Sequence, residues 1–159
     1  MASPLLADLS AMDLSRVVMD RQKIAEVLPH RGAMAMVDAI CHLDPAEMLA
    51  VGRRDVRPDE FWVSGHFPGN PLFPGVLLVE ASAQVSLICY KAGTPEIANR
   101  LVVFGGIDKV RFRGAVRPGD RLYILARMLD QSRRGARAAT QAVANGKLLY
   151  EGEVLAIVT

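Results

Sequence analysis

Hydrophobic side chains dominate residues 74–92, and this stretch shows no continuous polar face when it is drawn as a helix. Pro74 suits the first turn of a helix, while Gly93 and Pro95 are typical of a helix end. A helix that is apolar all round is buried in a protein core or in a membrane. The carboxyl group of Glu80 near its centre argues against lipid, where such a group is costly. The pattern therefore predicts one long core helix.

Shorter apolar segments on both sides of this helix alternate with turn residues, as strands do. Asn145–Gly146 is a strong signal for a two-residue hairpin. Asp20 suits the N-cap of a short helix that ends near Val27. The predicted strands cover residues 34–41, 48–56, 101–113, 122–129, 136–144 and 147–158. One long helix with five or six antiparallel strands predicts an α+β fold in which a curved sheet wraps around the helix.

The chain of 159 residues is long enough for one domain with a real core. We assign residues 20–159 to this domain and residues 1–19 to an N-terminal extension. The extension contains Asp8 and Asp13 but only Arg16 as a base, so it lacks the basic start and apolar centre of a signal peptide. Its pattern fits a short amphipathic helix or disorder equally well.

Composition narrows the function classes. Apolar residues make up 51% of the chain and charged residues 23%, which is ordinary for a soluble globular protein. A net charge of +2 is too small to indicate nucleic acid. Cys41 and Cys89 are too few and too far apart to form a metal or disulfide framework. We therefore expect a cytoplasmic protein that binds neither nucleic acid nor a membrane.

Two residues stand alone in the central region. Between Glu60 and Lys91, Glu80 is the only formally charged residue and His66 the only histidine. A buried carboxylate needs a partner or a raised pKa. Gln84, one turn later on the same helix face, can orient it. A loop imidazole that meets a buried carboxyl group is a candidate acid–base pair. The alternative is that Glu80 is tied to the backbone or to a subunit contact and that His66 only fills a turn.

Three motifs in order give these residues a context: LPHR at 28–31, GHFPG at 65–69 with PGVLLVEASAQ at 74–84, and GIDKVRF at 106–112. Together they resemble the 3-hydroxyacyl-[acyl-carrier-protein] dehydratases, which are hotdog-fold enzymes of fatty-acid synthesis. The relative that also isomerises the double bond typically has Asp at the position of Glu80, so the resemblance is to the plain dehydratase branch.

The resemblance implies dehydration of a (3R)-3-hydroxyacyl chain on acyl carrier protein to the trans-2-enoyl product. His66 would be the base, and Glu80 would be the acid or would position the leaving water. The apolar surroundings of Glu80 are expected to raise its pKa. The backbone N–H of Gly75 would polarise the thioester carbonyl with the help of the helix dipole, and Gln84 would orient Glu80. No metal or organic cofactor is called for.

The resemblance also implies an acyl cavity. The residues expected to bind substrate beside the catalytic pair are His30, Phe67, Gly75, Val76, Gln84, Val103 and Phe104. Many family members have a tyrosine that gates the acyl tunnel just before the strand phenylalanine. Here Val103 takes that place, which is expected to change the accepted chain lengths.

Related enzymes place the His and Glu of one site on different subunits, so the resemblance implies at least a homodimer, with a trimer of dimers as the larger option. Two other functions stay open. One is a hotdog thioesterase, against which the joined motifs around His66 and Glu80 argue. The other is a non-catalytic hotdog protein that binds acyl carrier protein, which would be expected to lack one of these two residues.

Overall fold

The computed structural model describes residues 3–159. Its elements are α1 (Arg21–Val27), β1 (Ala39–Asp44), β2 (Leu49–Asp55), α2 (Gly75–Gly93), β3 (Val102–Phe112), β4 (Arg121–Gln131), β5 (Gly135–Ala144) and β6 (Lys147–Val158). The six strands form one antiparallel sheet in the order β1-β2-β4-β5-β6-β3. Helix α2 packs against this sheet, chiefly against β4. The predicted α+β architecture is confirmed.

The central helix agrees with the prediction to within one residue at each end, since Pro74 is its N-cap and Gly93 its last residue. Most of its side chains from Leu78 to Tyr90 are buried. The helix is long and apolar enough to cross a membrane. In this fold, however, its side chains meet the inner face of the sheet, so it is a core helix.

Two local signals are also confirmed. The Asp20 side chain accepts a hydrogen bond from the N–H of Lys23 at 2.9 Å, so that it caps α1. Asn145 and Gly146 have φ angles of 50° and 72° and join β5 to β6. Two positive φ angles in a two-residue loop match the twist of the flanking strands.

The strand predicted over residues 34–41 is wrong in its first half, because β1 begins only at Ala39. Met34 instead ends a short 3-10 turn. The N–H of Met36 donates to Oε1 of Gln84 at 3.0 Å, and the Met36 carbonyl accepts from the Arg54 guanidinium at 3.0 Å. Since these side chains take both backbone groups of Met36, neither is left for a neighbouring strand.

Residues 4–14, which we call the N-terminal strap, lie on the outer face of the sheet. Apart from a 3-10 turn at Leu9–Ala11 they are irregular, and they do not form the short amphipathic helix considered from the sequence. The side chains of the strap that pack on the sheet are Leu6, Ala7, Leu9, Met12 and Leu14, and the buried residues beneath them are Val51, Leu125 and Val143. Leu125 alternates along β4 with Ile124 and Ala126 of the α2 core, so the strap covers the opposite face.

Polar contacts fix the register of the strap. Oε1 of Gln141 accepts from the N–H of Leu6 at 2.8 Å, and its Nε2 donates to the carbonyl of Pro4 at 2.9 Å. The Arg127 guanidinium donates to the Leu6 carbonyl at 3.0 Å. Gln141 is only 3% exposed. A buried amide of this kind is costly without partners, and the strap backbone supplies them.

We expect deletion of residues 1–14 to destabilise the protein, because it uncovers three buried apolar side chains and leaves Gln141 without its partners. Full burial of one such apolar side chain is worth about 1.5–3 kcal/mol, so the free energy of unfolding should fall by several kcal/mol. Urea denaturation measures this. Ser15→Ala is the control, because the hydrogen bond that the structure describes for the Ser15 hydroxyl is to the nearby Asp13. An unchanged urea midpoint after the deletion would contradict the prediction.

Candidate active site

Glu80 lies in the first half of α2, and its carboxyl group has two polar neighbours. Nε2 of Gln84 donates to Oε1 of Glu80 at 2.8 Å. Nε2 of His30 lies 3.3 Å from the same oxygen. The Glu80 side chain is 21% exposed. The helix brings Gln84 to Glu80 because residues four apart share a face. His30 arrives from the loop after α1, and its contact with the carboxyl group was not predicted from the sequence.

The pKa of Glu80 is lowered, chiefly because His30 hydrogen-bonds to its carboxylate, with a further contribution from Gln84. Burial acts in the opposite direction but does not prevail. The expectation of a raised pKa is therefore wrong for this chain. Hydrogen bonds to the charged form outweigh the loss of water around it.

Replacing His30 by alanine is expected to raise the pKa of Glu80, because the largest lowering cause disappears while burial remains. A lowered folded-state pKa stabilises the protein above the unfolded pKa, and this stabilisation is lost as the pH falls through the folded value. His30→Ala should bring the folded-state pKa of Glu80 closer to its unfolded value. The pH range over which this stabilisation is lost should therefore become narrower. NMR titration of the Glu80 carboxyl carbon measures the shift, with His42→Ala in β1 as the control. A Glu80 pKa that stays where it is in the wild type would contradict the prediction.

Gln84 holds the loop before β1 as well as the carboxylate. It is 1% exposed, and all its amide contacts lie inside the protein. Its Oε1 accepts from the N–H of Met36, while its Nε2 donates to the Met34 carbonyl at 2.7 Å and to Glu80. An amide that is fixed on both sides can hold a carboxylate in one orientation.

An apolar cavity of about 280 Å³ begins at Glu80 and runs between α2 and the sheet. Five residues predicted for the site line it: His30, Glu80, Gln84, Val103 and Phe104. Sequence reasoning missed the rest of the wall, which includes Leu87, Tyr90, Met128, Ala136, Ala138, Val154 and Ala156. Leu87 could have been found, since it follows Glu80 by two helical turns on the same face. The strand residues carry no comparable signal.

A second, open depression lies on the other side of Glu80, and Val76, Val79, Phe104 and Ile107 contribute to it. Glu80 and Phe104 line both spaces. The carboxyl group therefore lies where the apolar cavity meets this open depression. Val76, predicted to bind substrate, borders the open side and is 71% exposed.

His66 is held in the loop before α2. Its Nδ1 lies 2.7 Å from the carbonyl oxygen of Leu72, and its ring stacks on Phe67 at 4.2 Å between centroids. Because a carbonyl only accepts, Nδ1 carries the proton and Nε2 of the neutral ring keeps a free lone pair. Within residues 3–159 of one chain, His66 and Phe67 border neither space, and the polar side chains at Glu80 are His30 and Gln84.

Gly75 opens α2 beneath an aromatic ring. A Cβ atom at this position would lie 2.8 Å from the Phe112 ring, so a larger residue would force the ring to move. The N-cap, Pro74, provides no side-chain hydrogen bond to the helix. The first N–H groups of a helix have no intrahelical partner and are available to an acceptor from outside.

Solved structures identify the class of fold. The dehydratase heterocomplex ApeI:P from Xenorhabdus doucetiae matches with a TM-score of 0.72 at 19% identity, over 86% of this chain and 90% of that chain. A hypothetical thioesterase with coenzyme A from Streptococcus pneumoniae TIGR4 matches with a TM-score of 0.57 at 14% identity, over 76% of this chain and 84% of that chain. At these identities the likeness shows the fold alone. The predicted hotdog fold is confirmed.

The family follows from the sequence relatives. The FabA-like domain matches residues 28–154, and the chain belongs to this family. The 3-hydroxyacyl-[acyl-carrier-protein] dehydratase FabZ of Moorella thermoacetica is 40% identical over 137 residues, which cover 86% of this chain and 94% of the relative. FabZ of Chloroflexus aggregans is 42% identical over 139 residues, with 87% and 94% covered. The resemblance to this enzyme family is confirmed.

Proposed function

We propose that the protein is a cytoplasmic hydro-lyase that converts (3R)-3-hydroxyacyl-acyl-carrier-protein to the trans-2-enoyl product in fatty-acid synthesis or a related route. The observation that carries this proposal is the place of Glu80, whose carboxyl group lies at the mouth of an apolar cavity between α2 and the sheet. An acyl chain can fill such a cavity while its thioester end stays near the surface. The relatives of about 40% identity bear the name of this activity.

The active form in this proposal is a homodimer. Strand β3 is an edge of the sheet, and its exposed apolar side chains include Val103, Phe104, Ile107 and Phe112. An edge strand has unpaired backbone groups and can pair with a strand of another chain, and these exposed apolar side chains would be covered by such pairing. Pairing of two β3 strands would cover the open depression beside Glu80. His66 of the second copy would then face Glu80 of the first, which accounts for their separation within one chain.

The chemistry assigns a different task to each residue. Nε2 of His66 removes a proton from C2 of the substrate, and the electron pair left there moves onto the thioester oxygen as an enolate. This pair returns to form the C2–C3 double bond as the C3–O bond breaks. The lowered pKa of Glu80 favours a carboxylate that accepts a hydrogen bond from the C3 hydroxyl and positions it. The imidazolium of His66 then returns its proton to the departing oxygen as water forms. The N–H of Gly75, which has no partner within the helix, stabilises the negative charge on the thioester oxygen.

The test is an assay of the wild-type protein with 3-hydroxybutyryl-acyl-carrier-protein. We expect absorbance of the enoyl thioester to appear, and the reverse hydration to occur with trans-2-butenoyl-acyl-carrier-protein. Release of free thiol without enoyl product would indicate a thioesterase instead. A folded protein that binds acyl carrier protein and leaves both acyl chains unchanged would indicate a binding module. Either of these two results would overturn the proposal.

Val103→Tyr should narrow the chain-length preference, because Val103 lines the cavity and a tyrosine would occupy part of it. We expect kcat/KM for long acyl chains to fall by about tenfold more than for butyryl, the order of discrimination that a change in pocket volume gives. Assays across acyl lengths measure this. Val103→Ile, which keeps a branched aliphatic side chain, is the control. An unchanged profile in the tyrosine variant would contradict the prediction.

A further inference from the structure

A buried ion pair lies away from the cavity. The guanidinium of Arg54 in β2 pairs with the carboxylate of Glu60 in the following loop. Arg54 is 4% exposed, and the Glu60 side chain is 6% exposed. Replacement of such a pair by apolar residues of similar size is often neutral or stabilising. Stability is therefore a weak explanation for the presence of this pair.

A series of hydrogen bonds connects Arg54 of this pair to Glu80. Nη1 of Arg54 donates to the Met36 carbonyl at 3.0 Å. The N–H of the same residue, Met36, donates to Gln84, which in turn donates to the Glu80 carboxylate. Three hydrogen bonds and one backbone residue thus connect the guanidinium to the carboxyl group at the cavity mouth.

A second series of hydrogen bonds connects Glu60 of the pair to His66. Oε2 of Glu60 accepts from the indole N–H of Trp62 at 3.0 Å, and the Trp62 carbonyl accepts from the N–H of His66 at 2.8 Å. Phe73 supports the same loop, since it lies 5.2 Å edge-on from Trp62 and 5.1 Å beneath the Arg54 guanidinium. Its neighbour, Leu72, holds the His66 ring nitrogen.

We propose that the Arg54–Glu60 pair is a positioning device that fixes His66 and Glu80 relative to each other in one chain. This inference rests on the proposed dehydratase function, in which each residue serves one of the two sites of a dimer. A guanidinium has a rigid fork of donors, so one Arg can bind the Met36 carbonyl and Glu60 at once, while the compact ammonium of a Lys does not reproduce the fork. If His66 and Glu80 of one chain shift relative to each other, both sites of the dimer lose their geometry together.

The main test is the double variant Arg54→Met/Glu60→Gln, which removes both charges and keeps an acceptor for Trp62. We expect kcat to fall about 10- to 100-fold, because a displacement of about 1 Å at a reacting group costs this much. KM and the thermal midpoint should stay close to wild type. The single variant Arg54→Lys keeps the positive charge beside Glu60, so its kcat should lie between those of the double variant and the wild type. Arg53→Met is the matched control on the same strand, since the ion pair that the structure describes for the half-buried Arg53 is with Asp55, at 3.6 Å.

A second readout does not depend on activity. Nitrogen NMR of the His66 ring should show a proton fixed on Nδ1 in the wild type and a mixture of tautomers in the double variant. If the wild type proves inactive, this spectrum still tests the positioning role, so the two proposals fail separately. Should the double variant not fold, Arg54→Lys carries the same two measurements. A variant with wild-type kcat and an unchanged His66 spectrum would show that the pair is only structural.

Discussion

His66→Ala is expected to lower kcat/KM for 3-hydroxyacyl-acyl-carrier-protein by roughly 10³-fold or more, because the variant loses the group that accepts the C2 proton. His66 contacts the Leu72 carbonyl and the Phe67 ring, and its side chain is not part of the core. The fold should therefore survive the change. Glu80→Gln should be similarly impaired, because a neutral amide replaces the carboxylate that holds the hydroxyl group. The rate of enoyl formation at saturating and at limiting substrate measures the loss of kcat and of kcat/KM in each variant.

Combining the two variants in one dimer tests whether the site spans two subunits or lies within one chain. A heterodimer of one His66→Ala chain and one Glu80→Gln chain has a single site with both residues intact if the site spans two subunits. Its activity per dimer should then be about half of the wild-type value, since a two-fold axis relates the two sites. Co-expression with two different tags allows this heterodimer to be purified. His42→Ala is the control for replacement of a histidine outside the site.

The result that would contradict this prediction is a heterodimer as inactive as its parents. In that case His66 and Glu80 would have to meet within one chain. The structure offers no such contact among residues 3–159, where Glu80 bonds to Gln84 and lies beside His30. A rearrangement of the loop that holds His66 would then be required.

The fold could be predicted from the sequence where local signals agree. Residues 74–92 are apolar all round between clear helix boundaries, and α2 follows them to within one residue. Asn145–Gly146 fixed the last hairpin because two positive φ angles suit these residue types. The start of β1 could not be predicted, because side chains distant in the sequence, Gln84 and Arg54, bind the backbone of Met36. No local pattern reveals such contacts.

The candidate site could also be predicted only where local sequence signals exist. The isolation of Glu80 within an apolar helix pointed to it, and helix periodicity brought in Gln84. The contact with His30 lies outside any periodicity, because it joins a loop to a helix 50 positions later in the sequence. This contact reverses the expected direction of the Glu80 pKa, since burial can be inferred from composition but the hydrogen-bond partner cannot. The strap escaped prediction because its partners, Gln141 among them, lie at the other end of the chain.

Ile107→Arg is expected to separate the proposed dimer and to abolish most of the proposed dehydratase activity, although both His66 and Glu80 remain in every chain. Ile107 lies on the edge strand β3 and is 53% exposed in the single chain. A charged side chain on such an edge opposes pairing with a second strand. Sedimentation velocity measures the dimer fraction, and the dehydration assay follows activity over the same range of protein concentration.

The concentration dependence separates loss of the dimer from direct damage beside Glu80. If Ile107→Arg acts on pairing, specific activity should rise with the dimer fraction as protein concentration increases. Leu129→Arg is the matched control, since Leu129 is a 43% exposed apolar residue on β4, which lies inside the sheet rather than at its edge. A fully active monomer, or an inactive dimer that stays intact, would contradict the prediction. A site shared by two chains requires that activity and pairing be lost together.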